Sequence, residues 1–439
     1  MKENYRDLRV AVLGAGTVGA EVAHRLLEGS SELGSRSGAG LRLIGVAVRN
    51  LDAVRSAPIP RELLTTDASS LIVQADIVVE LMGGIEPAKT LILQALHSGA
   101  DVITANKALL AEHGPELFDA ASRVGAQLYY EAAVAAAIPI IRPLRDSLAG
   151  DRVTKIMGIV NGTTNYILDE MDTTGLSFDA ALAKATELGY AEADPTADIE
   201  GYDAAQKAAI LSSHAFHTAV PLSDVYREGI TSVGAAQIDA AKRSGLVIKL
   251  LAICERRTDP LTGVEGVSTR VHPTLIPRTH PLAAAHGANN AVYVEAEAAG
   301  PLMFYGAGAG GAQTASAVLG DIVSAARRHV AGGPGVGEST HADLQGIALD
   351  HVESRLHITL EVKDEPGVLA EIARLFSDHQ VSVETLHQTV SISADGANQT
   401  ATLAIATHSA LEARGREMLE ALAANPVVTG VTSVLRVEG

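Results

Sequence analysis

The 439-residue chain has one cysteine, no tryptophan and only 3% aromatic residues. A lone Cys254 forms no disulfide within the chain, which points to a reducing compartment. Long apolar runs are missing too. The longest, Ala132 to Ile141, is broken by Pro139 and falls well short of the ~20 residues a membrane helix needs. The amino terminus, MKENYRDLRV, lacks the apolar stretch of a secretory signal. Positive charge is scarce: 34 Lys and Arg stand against 52 Asp and Glu, for a formal net charge of −18. That balance argues against nucleic acid or an anionic membrane as partner. The expectation is a soluble, cytoplasmic protein whose 47% hydrophobic content supports globular cores. Its length calls for two or three domains.

What is present is patterned. "LRVAVLGAGTVGAEVAHRLLEG" reads as strand, glycine turn and amphipathic helix. Short β-branched runs come after it at "LIGVAV", "DIVVEL", "DVITAN" and "AQLYYEA", spaced by helical stretches such as Pro87–Ser98 and Pro115–Val124. Alternating strands and helices imply a parallel, doubly wound sheet, a Rossmann-type dinucleotide-binding domain over residues 1–137. From Ile138 the rhythm becomes mixed α+β, over 138–304, with a helix capped by Ser177 and stopped by Gly189. The glycine loop and helix of "YGAGAGGAQTASAVLGDIVSAARR" return to the first domain near 305–330. A linker, 331–350, opens with the Gly/Pro/Ser-rich "AGGPGVGEST". Residues 351–439 have a βαββαβ order, the ferredoxin-like arrangement. A linker of that composition predicts that cutting after about Arg328 removes the C-terminal unit and leaves the rest of the chain working.

Gly14, Gly16 and Gly19 form G-x-G-x-x-G around Thr17 and Val18. The first permits the tight turn, the second admits a pyrophosphate and the third lets the helix pack closely. The second strand ends in "VAVRN", with Arg49 where an acidic residue would mark NAD. Arginine suits a 2′-phosphate and favours NADP, while nearby Asp52 keeps NAD open. In "GYAEADPTADIEGYDAAQK", Asp203 and Lys207 are four apart and share a helix face. Such pairs are usually solvated, but the alanines around this one indicate a packed helix. His214 and His217, one turn apart, read as packing residues rather than metal ligands.

The pattern A-x3-G-Y-A-x2-D-P-x2-D-I-x-G-x-D-x3-K, from Ala185 to Lys207, resembles the signature of homoserine dehydrogenases. The resemblance extends to "GGIEPAKTLILQALHSGADVITANKALL", "YEAAVAAAIPIIRPL" and "GIVNGTTNYIL". The C-terminal unit is similar to an ACT domain, with "DEPGVLAEI" as its strand-to-helix turn. The resemblance implies oxidation of L-homoserine to L-aspartate 4-semialdehyde, with hydride passing to NAD(P)+. It implies Lys207 as proton acceptor, Lys107 between cofactor and substrate, and Glu192, Asp198 and Asp203 around the substrate ammonium. The "NGTTN" turn is a provider of donors for the substrate carboxylate. Gly189, Gly308 and Gly310 join the cofactor contacts. Glu131, Val134, Ala136 and Ile138 match a monovalent-cation loop for sodium, with alanines where relatives carry glycine; an ion-free turn is the alternative. The family also implies a homodimer or homotetramer, and an amino-acid effector such as L-threonine at the ACT unit. Two rival readings lack support in the residues. Aspartate-semialdehyde dehydrogenase needs a reactive thiolate, and Cys254 lies in an apolar segment. An inactive amino-acid-binding regulator would not need the set Glu192, Asp203, Lys107 and Lys207.

Overall fold

The computed structural model describes residues 5–333, 338–392 and 399–439. Part of the expected linker, residues 334–337, and the first four residues of the amino terminus lie outside them. The chain forms two compact units: Met1–Ile156 with Ala205–Ser223 and Ala288–Leu344, and Met157–Ala204 with Asp224–Gly287 and Gln345–Gly439.

In the first unit, β1 (Tyr5–Leu13), β2 (Ala39–Ala47), β3 (Leu64–Thr65), β4 (Ile77–Glu80), β5 (Asp101–Thr104) and β6 (Leu128–Tyr129) make one sheet. Every pairing is parallel, in the order β3-β2-β1-β4-β5-β6. The winding reverses between β1 and β4, and that switch point opens a ligand crevice at the strands' carboxyl ends. β4 and β5 are buried at all four positions, as a sheet covered on both faces requires. Helix α1 (Thr17–Glu28) comes after β1, and α2 (Lys107–Val124) after β5. The returning helix, Gly311–Ala331, carries Ala315, Val318, Ile322 and Ala325 on one face, into the core formed by Val10, Val12 and Val22. The expected helix start at Pro115 is corrected. α2 begins at Lys107 under an Asn106 cap and runs through Pro115. The missing N–H of proline costs one intrahelical bond, and the buried Leu109, Leu110, Leu117 and Ala121 hold both halves against the sheet.

Downstream strands are β7 (Val153–Ile159), β8 (Leu246–Thr258), β9 (Glu265–Pro277), β10 (Asn289–Ala296), β11 (Gly300–Ala307), β12 (Glu353–Lys363), β13 (Val383–Ile392), β14 (Gln399–Thr407) and β15 (Val428–Val437). In the second unit β8 and β9 pair antiparallel from Leu246↔Pro277 to Thr258↔Glu265. Cys254 lies on β8, fully buried. The ACT-like part has antiparallel order β15-β12-β14-β13. Leu356, Ile358, Leu360 and Val362 alternate onto one face of β12 and meet Ile372, Phe376, Met418 and Leu422 of two helices, Val368–Asp378 and Glu412–Ala424.

That part is joined to the rest of its unit by strand pairing. β15 pairs in parallel with β9 at Thr274↔Arg436 and Leu275↔Val437, and Arg270 Nη2 donates to Glu438 at 2.8 Å. The physical reason is edge capping: β9 would otherwise leave backbone groups unpaired there. No helix among the described residues is long and apolar enough to cross a membrane.

Candidate active site

The glycine turn after β1 does three separate jobs. Gly14 has φ +99°, and a Cβ on it would lie 2.7 Å from Leu81 O. A Cβ on Gly19 would lie 2.0 Å from Gly14 O, so α1 touches the turn directly. At Gly16 a Cβ would meet nothing within 4 Å; that position faces open space. Gly16 is also the N-cap of α1, with no side-chain cap bond. An uncapped helix start beside an open cradle fits the pyrophosphate of a dinucleotide. Gly308 and Gly310 belong to the loop entering the returning helix, and the next residue, Gly311, presses on this turn. A Cβ there would come within 2.9 Å of Thr17 Cγ2. Gly311 escaped the sequence reading, although the Gly310–Gly311 pair signalled it.

Past β2, Arg49 is exposed and has no ion pair among the described residues. Asp52, the acid that would mark NAD, is 3.1 Å from Arg61 Nη2. Both lie beyond the end of β2, on the side of the crevice.

Lys107 is the first residue of α2 and half-buried. A buried network fixes its surroundings. The Glu80 carboxylate, at the end of β4, accepts from Thr104 Oγ1 at 2.6 Å and from the amides of Met82 and Gly83 at 2.7 and 3.1 Å. Asn106 donates to Gly84 O at 2.6 Å and caps Leu109 N at 3.2 Å. Glu80 also went unread, though an acid closing an apolar strand is a legible signal.

The acidic stretch is organised by Asn161. Its Oδ1 caps Thr164 N at 2.9 Å, at the start of the helix Gly162–Thr174. Its Nδ2 donates to Asp198 Oδ1 at 2.7 Å and to Asp203 Oδ2 at 2.9 Å. Thr163 Oγ1 donates to Tyr190 O at 2.6 Å and anchors the same stretch. The turn singled out for the substrate carboxylate thus spends its first asparagine on positioning two acids. Asp203 is buried and Glu192 exposed. Asp203 and Lys207 lie one turn apart on the helix Tyr202–Phe216, Lys207 half-buried. Gly189 has φ +75° and open space around a Cβ, after a helix capped by Ser177 at Ala180 N. The second asparagine, Asn165, accepts from the buried Lys249 Nζ at 3.0 Å.

At the expected cation loop, Glu131 accepts from the amides of Ile140, Ile141 and Arg142 at 2.5, 2.8 and 2.9 Å. Arg142 Nε lies 3.0 Å from the same carboxylate. Three amides and a guanidinium make that carboxylate a poor sodium ligand. Main-chain oxygens are the better fit: Ala136 has φ +52°, which takes it out of the short helix Ala132–Ala135 just before Ile138. Asp321 accepts from Glu131 N at 2.9 Å. Burial, with the Glu131 charge adding to it and Arg142 opposing, pushes its carboxyl up to about 7.

The two histidines of the His214/His217 pair have separate protein partners. His214 Nε2 is 3.0 Å from Ile141 O, and its Nδ1 is 2.9 Å from Glu338 Oε2. The His217 ring packs on His341, with centroids 4.9 Å apart. No cluster of three or more metal-ligating side chains occurs among the described residues.

Three family profiles match the chain in succession: the homoserine dehydrogenase NAD-binding domain at 14–131, homoserine dehydrogenase at 139–323 and an ACT domain at 357–426. A homoserine dehydrogenase of Corynebacterium glutamicum is 53% identical over 98% of this chain and 95% of its own length. The crystal structure of a homoserine dehydrogenase from Thiobacillus denitrificans superposes with a TM-score of 0.90 at 38% identity, covering 98% of each chain. A hyperthermophilic archaeal homoserine dehydrogenase, solved in complex with NADPH, gives 0.61 at 27% identity, over 75% of this chain and 99% of its own.

Proposed function

The chain belongs to the homoserine dehydrogenase family, and from that premise we propose how its residues divide the work. The reaction is the NAD(P)-dependent interconversion of L-homoserine and L-aspartate 4-semialdehyde. When bound, the nicotinamide supplies the hydride acceptor or donor, held by Gly14, Gly16, Thr17, Val18 and Gly19 with Gly189, Gly308 and Gly310 around it. Asp203 and Asp198, with Glu192, take the substrate ammonium. Lys207 Nζ accepts the hydroxyl proton as hydride leaves, and returns it to the forming alkoxide in the reduction. Lys107 acts between cofactor and substrate and directs the reacting oxygen.

The observation that carries this reading is the Asn161 amide, 2.7 and 2.9 Å from Asp198 and Asp203. It presets the ammonium site at the start of the helix that bears Lys207, so positioning precedes substrate binding. NADP is the favoured cofactor, on the exposed Arg49 and the Asp52–Arg61 pair. A sodium ion, if held, sits on main-chain carbonyls of Glu131, Val134, Ala136 and Ile138. The ACT domain (351–439) binds an amino-acid effector, L-threonine first among those to try, and the assembly is a homodimer or homotetramer in the cytoplasm. The test is absorbance at 340 nm with L-homoserine and either NADP+ or NAD+. Turnover with NADP+ preferred supports the reading, and no turnover with either cofactor refutes it.

A further inference from the structure

Asp198 and Asp203, the two acids that Asn161 bridges, stand on either side of a corner in the chain. The short helix Thr196–Ile199 ends there under a Glu200 cap, and the helix Tyr202–Phe216 begins. Gly201 has φ +79°, a left-handed conformation that glycine adopts without steric cost. The corner residues Ile199, Glu200, Gly201 and Tyr202 therefore set the separation and direction of the two carboxylates.

Each of those residues meets a partner in the segment 227–231. Ile199 O accepts from Ile230 N at 2.7 Å. Glu200 O accepts from the Arg227 guanidinium, and Glu200 Oε1 accepts from Thr231 Oγ1 at 3.1 Å. A Cβ on Gly201 would come within 3.3 Å of Glu228 O. The Arg227 guanidinium lies 3.6 Å from the centroid of the Tyr202 ring, well within cation–π range. Gly229 completes the fit. A Cβ there would lie 2.4 Å from Ile199 O and 2.6 Å from Glu200 Cα, where ordinary contact starts at 3.4 Å. Both neighbours are backbone, so no flexible side chain could give way.

The segment has a firm mounting. Tyr226 and Arg227 pair in parallel with Arg270 and Val271 of β9, and Glu228 N donates to Val271 O at 2.7 Å. β9 itself is buried from Gly266 to Ile276. The helix Thr196–Ile199, by contrast, has no buried residue. Core packing gives little reason to hold its end so closely; the placement of the acids does.

We propose that Arg227 and Gly229 are positioning residues for the reaction, holding Asp198 and Asp203 at the spacing an ammonium group requires. The inference rests on the reading of those two acids as the ammonium site. Both residues act through the corner, not by contact with substrate. The experiment uses the full chain and compares Gly229→Ala, Arg227→Ala and Asn161→Ala with the wild type. The 340 nm assay gives kcat and the KM for L-homoserine, fluorescence titration gives cofactor affinity, and Tm reports folding. A displacement near 1 Å costs up to ~10²-fold at a preorganised site. Gly229→Ala should raise the homoserine KM roughly 10-fold to 100-fold, with kcat changed far less and cofactor affinity unchanged. Arg227→Ala shifts it the same way by a smaller factor. Arg227→Lys keeps a cation over Tyr202 and a donor for Glu200 O, and recovers most of that loss. Combined with Asn161→Ala, either alanine variant costs less than the product of the separate losses, because both loosen the same two acids. Should Gly229→Ala not fold, Arg227→Ala decides alone. A wild-type homoserine KM in the folded variants overturns the inference. So do losses shared equally with the cofactor, or losses that multiply with Asn161→Ala. In those cases the wild type still turns over homoserine and the enzymatic reading stands. If the wild type shows no turnover, that reading fails first, and this inference with it.

Discussion

At the residue scale, the site turns on a few polar atoms whose removal has separable effects. Lys207→Ala removes the proton acceptor, and general acid–base help is worth ~10²–10⁴-fold. Turnover should fall by about that factor while cofactor affinity, read by fluorescence titration, stays near normal. Because oxidation releases a proton, the wild-type rate should rise toward alkaline pH; that dependence should flatten in the variant. Arg49→Ala tests the cofactor. Losing a charge-assisted contact to a 2′-phosphate costs about 1.5–3 kcal/mol, or roughly 10-fold to 100-fold in NADP+ affinity, with NAD+ nearly unaffected. Equal losses would remove the argument from Arg49. Asn161→Ala acts differently from both. It removes one hydrogen bond from each of Asp198 and Asp203, so the KM for homoserine should rise and the cofactor KM should not.

At the element scale, two glycines of one turn should respond in opposite ways. Gly19→Ala forces a methyl against Gly14 O, which a Cβ would approach to 2.0 Å. The turn must move, and a loss of about 1–3 kcal/mol is expected in denaturant unfolding. Gly16→Ala meets nothing within 4 Å, so the fold tolerates it while the methyl fills the phosphate cradle and raises the cofactor KM. The turn between β8 and β9 offers a pH test. The hydrogen bond from His351 to Asp259, 2.9 Å long, outweighs burial and, with the amides of Leu261 and Thr262, holds that carboxyl at about 2. A carboxyl depressed on folding stabilises above its unfolded pKa, ~3.9. That contribution is lost as pH falls through about 2. Asp259→Asn should therefore flatten the acid limb of Tm against pH between those values and leave the neutral plateau lower than in the wild type.

At the scale of the whole molecule, the linker composition predicts a removable regulatory domain, while the strand pairing leads to the opposite expectation. Truncation after Arg328 deletes β15, the neighbour of β9, and takes Glu438 from Arg270, which is 2% exposed. Breaking a buried pair by removing one partner is costly. The truncated chain should lose stability and most turnover, as unfolding curves and the 340 nm assay would show.

Much of this was legible along the chain because its causes are local. The parallel sheet comes from strands alternating with helices, and the three glycine roles from the spacing of 14, 16 and 19. The Ser177 cap and the left-handed Gly189 come from residue chemistry within one turn. The helix face shared by Asp203 and Lys207 comes from their spacing. Features that depended on distant partners were not legible. Asn161 meets Asp198 and Asp203 only after the helices between them fold back, and Gly311 meets Thr17 across almost the whole of the first unit's sequence. The Glu131 carboxylate is claimed by the amides of residues 140–142, which no pattern around Glu131 announces. The seating of β15 on β9 and the docking of Glu338 on His214 are likewise tertiary decisions: backbone edges and buried charges must be paired, and only the folded chain determines with what.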